Sequence, residues 1–217
     1  MSLFYYVCCA ALLTSPLFCK ETLQYTSATD GKNVSTDWSI TKEQDHLVIS
    51  GKSSDGSTAE IQTSDSYQLE IFKQKDPNKG YDLTASRKGN TLTVTGLVKQ
   101  DPKTKVYDIG RTPWVQEFAF GFRNFLKDKE TEYKFEILHP KDFDIHDMIA
   151  TKEYVEDLTI NGKTYKAQKL KITLQGFRKR FWKADVWYDL ETLELLRYKA
   201  NEGPGTPITE TILIGSS

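Results

Sequence analysis

Leu158-Thr159-Ile160-Asn161-Gly162-Lys163-Thr164-Tyr165 is the stretch whose reading decides the fold. Asn-Gly between β-forming runs predicts a two-residue type I′ turn, because both central positions of that turn need positive φ and these two residues tolerate it. The second arm runs from Tyr165 to Leu174, with Ala167, Lys169, Lys171 and Thr173 on one face. Beyond it the pattern repeats. A strand carries Phe181 through Tyr188, turns around Asp189 to Leu193 and returns through Leu195 to Lys199. A Gly/Pro loop, Asn201 to Pro207, precedes a last apolar strand over Thr209 to Ile214. Upstream, Tyr133, Phe135 and Ile137 mark another strand face.

The first hundred residues read the same way. Val34, Thr36, Trp38 and Ile40 alternate with polar residues, which places them on one strand face. His46–Ser50 and Thr58–Thr63 flank the turn Ser54-Asp55-Gly56. Tyr67, Leu69 and Ile71 are expected to share one face. Tyr81–Ser86 and Thr91–Val98 flank the short connection Lys88-Gly89-Asn90. A strand about every eight to twelve residues, each free of proline, predicts an antiparallel sandwich or barrel. Asp101 to Thr104 is the one place where two sheet halves would separate, and a single domain is the simpler account.

One segment breaks the period. Thr112-Pro113 reads as a helix opening, with Thr as cap and Pro in the first turn, where its missing N–H costs nothing. Trp114, Phe118, Phe122 and Phe125 recur at three- to four-residue spacing, which predicts one amphipathic helix from Pro113 to Leu126. The aromatic stripe suits burial against the concave face of a curved sheet. The same four rings are the candidate lining of a ligand site.

Residues 3–18 are almost wholly apolar and aromatic, and the first charged side chain is Lys20. All three cysteines, Cys8, Cys9 and Cys19, lie in this stretch. The expectation is an export signal over residues 1–19 that is removed, leaving a cysteine-free domain over residues 20–217 in the periplasm or outside the cell. A lipoprotein form bearing its acyl chain on Cys19 and an uncleaved signal anchor are the alternatives. The anchor is disfavoured because the run is at or below the ~18–20 apolar residues of a spanning helix, and Pro16 shortens it.

Lys and Arg total 29 against 30 for Asp and Glu, so no global attraction to nucleic acid is expected. Gly-x-Ser-x-Gly, a phosphate-cradling glycine loop and His-Glu-x-x-His are absent from the sequence, and no catalytic residue is assigned. His139, Asp142, Asp144, His146 and Asp147 form the densest polar cluster, but their spacing matches no familiar zinc set, so neither a metal nor a cofactor is expected. Asn33-Val34-Ser35 is a glycosylation triplet that matters only in a eukaryotic source. In Phe177-Arg178-Lys179-Arg180-Phe181-Trp182-Lys183, cations interleave with aromatics. The favoured reading is a strand whose cations keep one face soluble. The functional reading is contact with an anionic envelope surface through Arg178, Lys179, Arg180 and Lys183.

The order of the Gly-containing hairpin leading to Tyr165-Lys166-Ala167-Gln168-Lys169-Leu170, then Val186-Trp187-Tyr188-Asp189, then Leu195-Leu196-Arg197-Tyr198, resembles the C-terminal half of a family of exported bacterial proteins of unknown function. The likeness covers Val155 to Leu213. It implies a curved antiparallel sheet, similar in shape to the half-barrel lipoprotein carriers of the periplasm, with the aromatic helix as its plug. It carries over no catalytic residue, and neither the Asn201–Pro207 loop nor the cations at Arg178 belong to the family pattern.

The expectation is therefore a mainly β chain, a curved antiparallel sheet or half-barrel with one amphipathic helix, acting as an exported non-catalytic binding or carrier protein for an apolar, lipid-like molecule. A structural envelope module acting through its surface is the alternative, and a hydrolase without recognisable motif a distant third. A cavity of about 300 Å³ or more separates the first from the second.

Overall fold

The computed structural model describes residues 20–43, 45–176, 182–201, 203 and 205–217. Two meanders of antiparallel hairpins make up the chain. The first comprises β1 (Lys20–Thr29), β2 (Lys32–Glu43), β3 (His46–Ser53), β4 (Thr58–Ser64), β5 (Leu69–Asp76), β6 (Tyr81–Lys88), β7 (Thr91–Val98) and β8 (Asp101–Asp108). The second comprises β9 (Glu132–Leu138), β10 (Ile145–Ile160), β11 (Lys163–Leu174), β12 (Lys183–Asp189), β13 (Leu195–Asn201) and β14 (Ile208–Ser216). Between them lie the short helices α1 (Phe118–Gly121) and α2 (Arg123–Lys127).

All fourteen strands form one sheet in the order β8-β7-β6-β5-β4-β3-β2-β1-β14-β13-β12-β11-β10-β9. The meanders join where β1 pairs antiparallel with β14, so the two described chain ends meet mid-sheet. There Thr22 N–H donates to Ser217 O at 2.8 Å and Ser217 N–H to Thr22 O at 3.0 Å. The sheet is not closed into a barrel, for β8 and β9 remain its two edges. Register shifts at Gln24/Tyr25, Gln62/Thr63, Lys152/Val155 and Trp187/Tyr188 bend it. The Asn161-Gly162 turn forms as read, with φ of 51° and 80° between Ile160 and Lys163.

Two expectations need correction. Tyr67 stands in a turn at φ 57° rather than in a strand, and the bulge opposite Gln62/Thr63 adds a residue, so Leu69 and Phe72 are the buried pair and Ile71 is not. Asp101–Thr104 opens β8, and Pro102 is tolerated there because an edge strand leaves one row of N–H groups unused.

The helix is the second. It starts at Phe118, not Pro113, and breaks at Phe122 (φ −109°, ψ 1°). Ahead of it the chain is extended and covers the β9 edge: Val115 N–H donates to Glu136 O at 3.0 Å and Glu136 N–H to Pro113 O at 2.9 Å. The Gln116 amide completes the cover, donating to Leu138 O at 2.9 Å and accepting from Leu138 N–H at 3.1 Å. Unpaired strand edges attract whatever backbone is near, and here that pull outweighs the cap signal of Thr112-Pro113. The Thr112 carbonyl instead accepts from Arg87 at 2.9 Å.

The helical segment is fastened at both ends. Tyr188 Oη donates to Phe118 O at 2.7 Å, and Lys152 Nζ donates to Asp128 O at 2.6 Å past the α2 C-terminus. Arg123 donates to Tyr67 Oη at 2.8 Å and pairs with Glu21 at 3.3 Å. Phe122 lies fully buried beneath, its ring 5.2 Å from Phe135, 5.6 Å from Phe118 and 6.2 Å from Tyr188.

Candidate functional site

Strand alternation decides what faces the helical segment. Trp38 on β2 points inward and meets Phe120 edge-on, centroids 5.2 Å apart. Its cross-strand partner is Gly51, and a Cβ there would sit 2.7 Å from the indole, so only glycine leaves room for this ring. Beside Trp38 the packing stops. A cleft of about 390 Å³ opens between the sheet and the start of α1, walled by Trp38, Phe118, Trp182 and Tyr198.

Its polar lining comes mainly from hydroxyls in cross-strand pairs. Ser27 and Thr211 are 2.8 Å apart, as are Thr36 and Ser53. Tyr25 and Glu117 are among the lining groups with no partner of this kind. The buried Tyr25 hydroxyl makes no hydrogen bond, and burial holds its pKa far above the usual phenol value. Glu117, at the α1 N-cap, lends its backbone carbonyl to Phe120 and Gly121 N–H, while no described residue hydrogen-bonds or ion-pairs with its carboxylate. Desolvation alone raises the pKa of that carboxyl to about 7.

An adjoining cleft of about 420 Å³ shares Gln116, Ile137 and Trp182 with the first and continues over Leu138, Met148 and Leu174. His139 and His146 line it, rings 5.7 Å apart, with His139 Nδ1 2.9 Å from Asp142. Asp142 stays below its usual pKa despite burial, held by the Asp144 N–H and by His139. Asp144 lies before β10 and pairs with Lys105. Among the described residues no three His, Cys, Asp or Glu side chains stand close enough to hold a metal ion. A third cleft, about 660 Å³, lies at Trp114 and Tyr133, but its Arg87 already donates to Gly89, Gly110 and Thr112 carbonyls.

The four aromatic positions singled out in the sequence are thus divided. Phe118 walls the 390 Å³ cleft and Trp114 the 660 Å³ one, whereas Phe122 and Phe125 lie in the core and line neither. Of the cation cluster, Arg178, Lys179 and Arg180 lie outside the described residues, as do residues 1–19, and Lys183 is exposed at the start of β12. Trp38, Tyr25 and Glu117 are the lining residues that sequence reasoning passed over. A single acid inside the apolar run from Trp114 to Phe125 was the available signal for Glu117.

No family's sequence profile matches the chain, and no curated protein matches it. Solved structures do. The chain is similar to a beta-barrel-like protein of the DUF1849 domain of unknown function from Brucella abortus, with TM-score 0.59 and 8% identity over 91% of this chain and 97% of that one. At that identity the likeness speaks for the fold alone. It also overlaps the hypothetical lipoprotein YmcC from Escherichia coli (TM-score 0.42, 16% identity, 91% and 84% covered). A DUF1329 family protein from Desulfovibrio piger gives TM-score 0.29 at 10% identity, with 93% and 86% covered. The curved, barrel-like antiparallel sheet is therefore a form shared with a bacterial protein of unknown function. Among the described residues no helix is long and apolar enough to cross a membrane.

Proposed function

We propose that this chain is an exported, non-catalytic binding or carrier protein that holds an apolar or amphiphilic small molecule between its sheet and its helical segment. The observation that carries the reading is the open, aromatic-walled cleft of about 390 Å³, which continues into an apolar neighbour of about 420 Å³. Both fall in the size range of ligand sites, about 300–1,000 Å³. Four hydroxyls facing the first cleft are bonded pairwise, Ser27 with Thr211 and Thr36 with Ser53, and no described hydroxyl of the lining bonds to a histidine, which favours binding over nucleophilic chemistry. Export rests on the uncharged apolar stretch before Lys20.

Native mass spectrometry of the protein isolated gently from its exported fraction tests this. A bound species released on denaturation is the expected result. A bare mass, with the cleft empty in the native source, overturns the carrier reading.

A further inference from the structure

We propose that the 390 Å³ cleft takes an organic cation, with its ammonium or quaternary ammonium group set against Glu117 and its carbon skeleton against the surrounding rings. This rests on the carrier reading and narrows it to a class of ligand.

The argument starts from charge. Among the described residues that line the cleft, Glu117 is the only one with a formal charge: no lysine, arginine or histidine faces it there. A carboxylate taken out of water ordinarily sits beside a cation or several donors, because leaving it alone costs several kcal/mol. Other acids of this molecule follow the rule, Glu136 excepted, whose Oε2 is buried without a partner. On the opposite face of β12, Glu153 and Asp185 bind Lys169 at 3.0 and 3.1 Å, and Glu156 accepts from Trp187 Nε1–H at 2.5 Å. Among the described residues that line these clefts, Glu117 alone has a carboxylate without a partner, and the buried Tyr25 hydroxyl, elsewhere in the lining, is also unmatched. A ligand that brings positive charge supplies what the site lacks.

The walls select the kind of cation. Trp38, Phe118, Trp182 and Tyr198 present ring faces and edges, and aromatic faces attract alkylammonium groups while tolerating their methyl and methylene surface. A bare metal ion would need several oxygen ligands around it, and the cleft offers one carboxylate. An anionic amphiphile is opposed by Glu117. The cations of the adjoining cleft do not reverse this, since Lys79 already pairs with Asp76 at 3.7 Å and Lys141 is not free.

Three probes with one chain and different heads decide the matter: octyltrimethylammonium, octyl glucoside and octyl sulfate, titrated calorimetrically at pH 8 against the full chain and Glu117→Gln. Glu117 keeps no side-chain hydrogen bond that glutamine would break, so the variant is expected to fold, and circular dichroism verifies it. The cation should bind about tenfold or more tightly than the other two, and Glu117→Gln should remove that preference while leaving octyl glucoside unchanged. Because octyltrimethylammonium keeps its charge at every pH, its affinity for the wild type should also fall from pH 8 to pH 6 as Glu117 takes up a proton. Tyr25, whose pKa burial raises, stays neutral in that range. Octyl sulfate binding as well as the cation, or Glu117→Gln leaving cation affinity unchanged, overturns the inference and leaves the carrier reading standing. Failure of all three probes to bind overturns both.

Discussion

Two aromatic regions lie against the helical segment, and they are built to opposite ends. Around Phe122 the rings of Phe118, Phe125, Tyr133, Phe135 and Tyr188 all approach within 6.5 Å, and the Tyr188 hydroxyl is hydrogen-bonded. Around Trp38 and Trp182 a cavity remains, although Trp38 still meets Phe120, and the Glu117 carboxylate and the Tyr25 phenol of its lining have no partners. The first region has the dense, polar-satisfied packing that stabilises a fold. The second leaves contacts and hydrogen bonds unmade, which is costly in a stable protein unless another molecule makes them. Phe118 belongs to both and marks the boundary.

Substitutions on each side sharpen or break this contrast. Phe122→Ala, in the sealed region, should cost the most, about 3–5 kcal/mol, measured as a fall in the urea midpoint. A loss below about 1 kcal/mol would mean that this region is no better packed than the cleft. Next comes Gly51→Ala, whose new methyl drives into the Trp38 indole; overpacking of this kind costs about 1–3 kcal/mol. It should also turn the indole into the cleft and weaken every ligand there, which a parallel binding titration reads.

Glu117→Gln should act with the opposite sign. Its carboxyl titrates near pH 7 in the folded chain against 4.5 as its ordinary value. Below pH 4.5 both states hold the proton and the substitution is neutral. As pH rises toward 7 the unfolded chain releases its proton first, so the wild type loses stability relative to the variant. Above 7 the gap is constant. The variant should therefore be more stable by about 1–3 kcal/mol at pH 8 and equal near pH 4, in paired urea titrations at the two pH values. A variant less stable at pH 8 would show that the carboxylate has a stabilising partner. Smallest is Ser27→Ala, which removes one member of a cleft hydroxyl pair and should cost about 0.5–1 kcal/mol.

The strand pattern was legible in the sequence wherever alternation met a good turn. Asn161-Gly162, Ser54-Asp55-Gly56 and Gly89-Asn90 each mark a hairpin, and local turn chemistry is enough to place them. What escaped depends on partners far along the chain. The strand role of β1 comes from its pairing with β14, nearly the whole chain away, and β8 is a strand because it lies along β7. The extended run at Trp114 is set by the unpaired edge of β9, which no local propensity encodes. The candidate site was harder still. Aromatic spacing gives the side of a helix but not whether the opposite wall is near or far, so Phe118 and Phe122 looked alike. Glu117 became informative only when the sheet showed that nothing answers it.

The claim that most needs testing is that the Trp38–Trp182 cleft is a seat for a ligand and not an idle gap. Ala59 lines it from β4, and Ala59→Trp would fill it with little change elsewhere. Native mass spectra of wild type and Ala59→Trp, purified side by side from the same exported fraction, test the claim directly. The account predicts a wild-type species carrying a small molecule lost on denaturation, and a bare variant. The same adduct on both proteins, or on neither, would contradict it.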